Sequence, residues 1–194
     1  MSGPADVAWS AAWEDDLAPA DHDDVGVLLA RAFGRSAAPF GPGRSWASAR
    51  PERRIVARAD RPEDGAAVAH IGLLRRFVQI GDAAQIGDVA QLVGDVGLVA
   101  VHPDRHGTGL GAALLARCAA ELDRLAVPFG LLTCGDHVAG FYASAGWVRV
   151  PGPTRMVRAD GTVQVYGAAT MVLPVRAAVD AWPAGRVERN GLEV

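Results

Sequence analysis

The chain has 194 residues, half of them apolar, and carries nineteen Lys and Arg against twenty-two Asp and Glu for a net charge of −3. That length suits one ordinary domain, and so large an apolar share excludes disorder as the default state. The weakly acidic balance excludes nucleic acid as the main partner, because phosphate backbones are bound by basic surfaces, and it suits a cationic small molecule.

Met1-Ser2-Gly3-Pro4-Ala5-Asp6 has neither a basic start nor an apolar run, so no secretory signal is read. No stretch reaches the roughly eighteen uncharged apolar residues of a membrane span, and a soluble, cytoplasmic protein is expected. Asp21 to Phe33 predicts a helix: Val25, Leu28, Leu29, Ala32 and Phe33 share a face, and Asp21, Asp23 and Asp24 suit its positive N-terminal end. Gly34 to Ser45, with its glycines and prolines, marks a loop, and Trp46 lies just beyond.

Arg54 to Ala59 predicts a short strand and Arg61-Pro62-Glu63-Asp64-Gly65 a turn. Ala66 to Ile80 reads as a longer strand, apolar on both faces. Ile86 to Val101 holds another, ended by Pro103-Asp104. Leu110 to Ala126 is the clearest helix, with Leu110, Leu114, Leu115, Cys118, Leu122 and Leu125 at helical spacing. Phe129 to Thr133 follows as a buried strand, then a helix from Val138 to Ala145 closed by Gly146. Trp147 to Val150 and Val163 to Leu173 predict two final strands, and the tail 174–194 reads as irregular. The expectation is a single α/β (α+β) domain over 1–194, with a central, mostly antiparallel sheet flanked by helices. Cys118 and Cys134 lack CxxC or metal-ligand spacing and are expected as buried free thiols.

The most informative stretch runs from Val99-Ala100-Val101 through His102-Pro103-Asp104-Arg105 to His106-Gly107-Thr108-Gly109-Leu110-Gly111-Ala112. A strand enters a glycine-rich loop that opens the strongest helix. Glycines let backbone amides turn inward, and a helix start adds unpaired N–H groups, which together cradle phosphate without a lysine. A plain turn before a helix is one alternative. A dinucleotide site is another, since Gly107 to Ala112 formally matches G-x-G-x-x-A. That site needs its first glycine directly after the strand, and here five residues from His102 to His106 intervene.

A third reading comes from resemblance. Val99-Ala100-Val101-His102-Pro103 resembles the strand ending that precedes the acetyl-CoA loop of GNAT N-acyltransferases. His106 to Gly111 resembles their Q/R-x-x-G-x-G/A signature, with His106 where Gln or Arg is usual. Phe141-Tyr142-Ala143-Ser144-Ala145-Gly146-Trp147 resembles their second hallmark, L-Y-x-x-x-G-F. The resemblance implies a GNAT fold and donor contacts from Val99, Ala100, Val101, His106, Gly107, Thr108, Gly109, Leu110, Gly111, Ala112 and Phe141. It also implies Tyr142 as the acid that protonates the departing thiolate, and a backbone N–H near Val99 on the acyl oxygen. The alternative for Tyr142 is a ring packed in the core with its hydroxyl at the edge.

Asp95 interrupts an apolar strand six residues before Val101, the spacing at which the histone-acetylating branch of the superfamily carries its catalytic glutamate. It is expected as general base; the alternative, made reasonable by Gly94 and Gly97, is a carboxylate at a bulge. The five histidines form no metal-ligand pattern, so no metal is expected.

Outside the hallmarks, Ala20-Asp21-His22, Arg44 to Glu52, Ala69 to Phe77, Val127-Pro128-Phe129-Gly130 and Trp182-Pro183-Ala184-Gly185 with Arg189-Asn190-Gly191 resemble the nodulation N-acyltransferases of the NodA family. Those enzymes move a fatty acyl chain from acyl carrier protein to the free amine of a chitin oligosaccharide. From Phe141 onward the chain is also similar to aminoglycoside 2'-N-acetyltransferases, at Tyr142-Ala143-Ser144, Gly146-Trp147, Gly152-Pro153-Thr154 and Trp182-x-Ala184-Gly185. Both families acylate an amino sugar at its 2-position. An intact pyrophosphate cradle favours acetyl-CoA over a carrier protein. The expectation is therefore an acetyl-CoA-dependent N-acetyltransferase of an amino sugar, an aminoglycoside antibiotic in particular. The alternatives are a NodA-like acyltransferase and a non-catalytic acyl-CoA sensor. Trp46, His70, Asp95 and Trp182 are expected to contact the substrate, with plain packing the alternative for both tryptophans; His70, on an apolar strand, reads as a satisfied core or pocket histidine rather than a base. A homodimer is compatible with the superfamily.

Overall fold

The computed structural model describes residues 6–34, 40–59, 65–81, 89–158 and 160–194. Part of the loop expected after Gly34, most of the turn at Arg61 to Gly65, and the first residues of the strand expected from Ile86 lie outside them. In chain order the elements are β1 (Val7–Trp13), α1 (Pro19–Phe33), β2 (Arg53–Ala59), β3 (Ala67–Gly81), β4 (Val89–Val101), α2 (Leu110–Arg124), β5 (Phe129–Cys134), α3 (Asp136–Ala143), β6 (Val148–Val150), β7 (Thr154–Val157), β8 (Val163–Tyr166), β9 (Ala169–Pro174) and β10 (Arg186–Asn190). Contacts group them into two compact units: Met1–Leu74, Gly97–Cys118 and Val194 in the first, Arg75–Val96 and Ala119–Glu193 in the second.

In the first unit β1 pairs antiparallel with β2, β2 pairs antiparallel with β3, and β4 follows β3. Helix α1 begins at Pro19, two residues before the expected start. Proline suits the first helical position, and the Asp21 carboxylate accepts from the Ala18 N–H at 3.0 Å. Val25, Leu28 and Leu29 of α1 pack with Val56, Ala67, Leu98, Ala100 and Val194. The first seven residues of β3 are buried on both faces, as its continuous apolar run predicts; the rest of the strand is mixed.

In the second unit the strand order is β6-β9-β5-β4-β3-β10-β7-β8. The β4–β5 and β10–β7 pairs are parallel, and the other registers described are antiparallel. Val78, Ile80, Val93, Phe129, Leu131, Val150, Val172 and Val187 form the core. Gly94 and Gly130 leave room for Leu122 of α2: a Cβ built on either would fall 2.2 or 2.8 Å from a Leu122 methyl.

Several strands depart from the sequence expectation. The stretch 163–173 is two strands, β8 and β9, with Gly167 between them and different partners on each side. Thr154–Val157 and Val7–Trp13 are strands where none was read. The tail is not irregular throughout: β10 inserts between β3 and β7. Its sequence, Arg-Val-Glu-Arg-Asn, carries one apolar side chain, too little for hydrophobic alternation to register.

Candidate active site

The glycine loop is built by local chemistry in the first unit. After a short 3-10 turn at Pro103–Arg105, the Thr108 hydroxyl donates to the Arg105 carbonyl at 2.7 Å. His106 Nε2 lies 3.1 Å from the Val101 carbonyl. Gly107 and Gly109 adopt φ of 74° and 84°, values that favour glycine, and a Cβ at either would meet nothing within 4 Å. The surface over the loop is therefore open. The first α-helical bond described here runs from the Ala113 N–H to the Gly109 carbonyl at 3.1 Å. By helix geometry the preceding first-turn N–H groups have no intrahelical acceptor and carry the positive end of the α2 dipole. Backbone N–H groups placed this way at a helix start suit a phosphate, and Leu110, buried beneath the loop, anchors the helix start.

Strand β4 leads into that loop. Its parallel register with β5 covers only Val93, Gly94 and Asp95. Leu98 then takes a φ of 53°, a left-handed conformation uncommon for leucine, which interrupts the regular strand. Val99, Ala100 and Val101 lie between this irregularity and the cradle, on the stretch expected to face the acyl group.

Tyr142 sits on α3 in the second unit. The helix closes tightly: the Ala145 and Trp147 N–H groups both donate to the Tyr142 carbonyl, at 2.9 and 3.3 Å, while Gly146 turns the chain at φ 87°. The buried Tyr142 ring packs edge-on against Phe141 at 5.3 Å and Trp147 at 6.1 Å. Phe141 is 40% exposed, a surface aromatic available to a ligand.

Asp95 does not have the setting expected of a base. It is 1% exposed, accepts from Arg189 Nη2 at 3.0 Å, and has its second oxygen 3.4 Å from Arg76 Nε. Burial pushes its carboxyl above the ordinary value, against the opposing pull of Arg189 and Arg76. Both oxygens are turned to guanidinium groups, so the expected base is corrected to a buried ion-pair member. Nothing in a tail read as irregular marks Arg189 as the partner of Asp95.

His70 is likewise corrected. It is 0% exposed, with Nδ1 2.9 Å from the Leu98 carbonyl and Nε2 3.2 Å from Arg54 Nη1, so neither nitrogen is open to a substrate. Burial first, then the neighbouring Arg54, lowers its pKa to about 3, and the ring is neutral. Trp182, partly buried, packs edge-on against Phe129 at 5.1 Å, at the margin of the second unit's core. Trp46 is half-buried against the α1 core, with the Arg50 guanidinium 4.9 Å above its ring. Both tryptophans pack against a core while keeping part of their surface exposed.

Sequence reading missed a second ion cluster. Buried Glu14 receives Arg54 through Nε and Nη2 and Arg50 through Nε. Burial raises the Glu14 carboxyl, and the two arginines more than offset it, leaving its pKa below the ordinary value. Beside the cluster lies a cavity of about 480 Å3 whose lining includes Trp13, Glu14, Asp15, Arg50, Glu52 and Leu74. Among the described residues, no group of three or more His, Cys, Asp or Glu is arranged to hold a metal, and no helix is long and apolar enough to cross a membrane. Cys118 and Cys134 are buried free thiols.

Among the described residues, a sheet flanked by three helices, a strand running into a glycine loop at a helix start, and a tyrosine-bearing helix downstream define the fold of a GNAT N-acyltransferase. Solved structures agree. The GNAT family N-acetyltransferase YhbS from Escherichia coli, in complex with CoA, superposes with a TM-score of 0.60 over 95% of this chain and 89% of that one, at 19% identity. Escherichia coli ElaA superposes at 0.56 over 86% of this chain and 99% of that one, at 16% identity. The nodulation protein A family matches residues 4–194. Nodulation protein A of Rhizobium leguminosarum bv. trifolii is 34% identical over 207 residues, 98% of this chain and 99% of that protein. That of Methylobacterium nodulans is 35% identical over 210 residues, 100% of this chain and 93% of that protein. The chain belongs to the nodulation protein A family and is an N-acyltransferase.

The match overturns the aminoglycoside expectation. Similarity to aminoglycoside acetyltransferases rested on segments after Phe141, whereas the nodulation protein A match spans the chain from end to end.

Proposed function

We propose that this protein moves a fatty acyl group from the phosphopantetheine of an acyl carrier protein to a free amine of a chitin-type oligosaccharide. The observation that carries this reading is the end-to-end kinship with nodulation protein A, at 34% identity over 98% of the chain. The cradle at Gly107 to Ala112 agrees with it. Helix-start N–H groups bind a phosphate, and a phosphate is common to the CoA and carrier-protein arms, so an intact cradle does not select CoA. A carrier-protein donor sets the reaction in the cytoplasm.

The amine nitrogen attacks the thioester carbon, the C–S bond breaks, the nitrogen sheds a proton, and the thiolate gains one. Tyr142 is the residue we assign to that last proton, and the backbone at Val99 the donor to the acyl oxygen. Holding donor and acceptor together supplies much of the rate. The cavity bordered by Trp13, Asp15 and Glu52 combines an aromatic wall with carboxylates, a lining suited to an amino sugar.

The test incubates the protein with long-chain acyl carrier protein and de-N-acetylated chitin oligomers, with mass detection of product. The expected product gains one acyl chain in amide linkage. Transfer from acetyl-CoA alone, with none from the carrier protein, would overturn the donor assignment.

A further inference from the structure

The irregularity in β4 has a buried support that the acyl-transfer reading leaves unused. Leu98 sits at φ 53°, where a leucine stays only if its surroundings hold it. Its carbonyl meets His70 Nδ1 at 2.9 Å. On the far side of the imidazole, Nε2 faces Arg54 Nη1 at 3.2 Å. A guanidinium only donates, so Nε2 must be the bare nitrogen, and the single ring proton of the neutral imidazole is forced onto Nδ1. His70 therefore donates to the Leu98 carbonyl.

Arg54 is fixed in turn. It is 0% exposed, gives Nε and Nη2 to Glu14, and shares Nη1 with the Ser45 carbonyl at 2.9 Å. A hydrogen-bonded line thus joins the Glu14 carboxylate, Arg54, His70 and the Leu98 carbonyl, with Arg54 donating to both Glu14 and His70 and His70 donating to Leu98; it is anchored in β2 and β3 and ends on the one left-handed residue of β4. The three residues that follow, Val99 to Val101, lead into the phosphate cradle.

We propose that His70 is a positioning residue for acyl transfer: its Nδ1–H, enforced by Arg54, holds Leu98 in place and thereby aims the backbone of Val99 to Val101 at the thioester. This rests on the acyltransferase reading above. His70 touches no substrate; it acts through the strand.

The test joins spectroscopy of the intact protein with kinetics of three variants. Long-range 1H–15N correlation on ring-labelled histidine should show His70 as the neutral Nδ1–H tautomer at neutral pH; the Nε2–H tautomer or a cation overturns the proposal. Asparagine places an amide donor near the Nδ1 position and glutamine near Nε2. H70N should therefore keep kcat within about threefold, while H70Q and H70L lower it by about 10- to 100-fold with donor KM changed less than about threefold. Equal losses in all three variants, or a loss wholly in KM, would reduce His70 to packing. Variants too unstable to assay leave the wild-type ring spectrum to decide. If the wild type transfers no acyl group between any donor and acceptor, the functional reading fails, and the tautomer result still stands or falls by itself.

Discussion

Replacing Asp95 by asparagine removes the only carboxylate within 3.5 Å of Arg189 among the described contacts, and leaves two guanidinium groups facing a neutral amide. Asp95 and the Arg189 side chain are both 1% exposed, so solvent cannot step in for the lost charge. Breaking a buried pair by deleting one partner costs about 3–5 kcal/mol, and the second guanidinium, on Arg76, puts D95N toward the upper end. A domain is stable by only about 5–15 kcal/mol, so the loss of this one charge should shift the urea midpoint visibly. Trp147 and Trp182 lie in the same unit as the pair and report its unfolding by fluorescence. In the double variant with Arg189→Met the charge imbalance shrinks, so its loss should fall well short of the two single losses added together. A loss below about 1 kcal/mol for D95N would refute the ion-pair argument. A D95N protein of wild-type stability that has lost the acidic limb of its pH–rate profile would restore Asp95 as general base.

Three further outcomes follow from the site. Tyr142→Phe should stay folded and lose about 10²- to 10⁴-fold in turnover, measured as carrier-protein thiol release; an unchanged kcat removes the hydroxyl from the mechanism. Gly109→Ala puts a Cβ at φ 84° in open space, so strain of about 1–2 kcal/mol reshapes the cradle without a clash. Donor KM should rise about tenfold with the melting temperature lowered by only about 2–8 °C, and an unaltered KM would take the phosphate off this loop. His70 has a folded pKa of about 3, below its unfolded value near 6.5, so the unfolded chain binds the extra proton and stability falls as pH drops from about 6.5 toward 3. By pH 5 that amounts to about 2 kcal/mol. The raised pKa of Asp95 contributes with the opposite slope, so the quantity to measure is wild type minus H70N, and a flat difference from pH 7 to pH 5 would contradict a buried neutral imidazole.

Local signals carried the sequence reading far. The helical spacing from Leu110 to Leu125 and the run of apolar residues in β3 each needed only their own period, and the structure has both elements. The glycines at 107 and 109 mark positive φ whatever surrounds them. What the sequence could not resolve were roles set by partners distant in the chain. Asp95 reads alike whether it faces an amine or an arginine; Arg189, ninety-four positions away, decides it. His70 on an apolar strand became a donor to Leu98 only because Arg54 lies on the neighbouring strand and occupies its other nitrogen. The tail looked irregular because β10 is held by pairing with β3 and β7 and by one buried arginine, not by a hydrophobic pattern of its own. Periodicity and turn chemistry are short-range and legible in one dimension, whereas the protonation, tautomer and partner of a buried polar group depend on what the fold brings beside it.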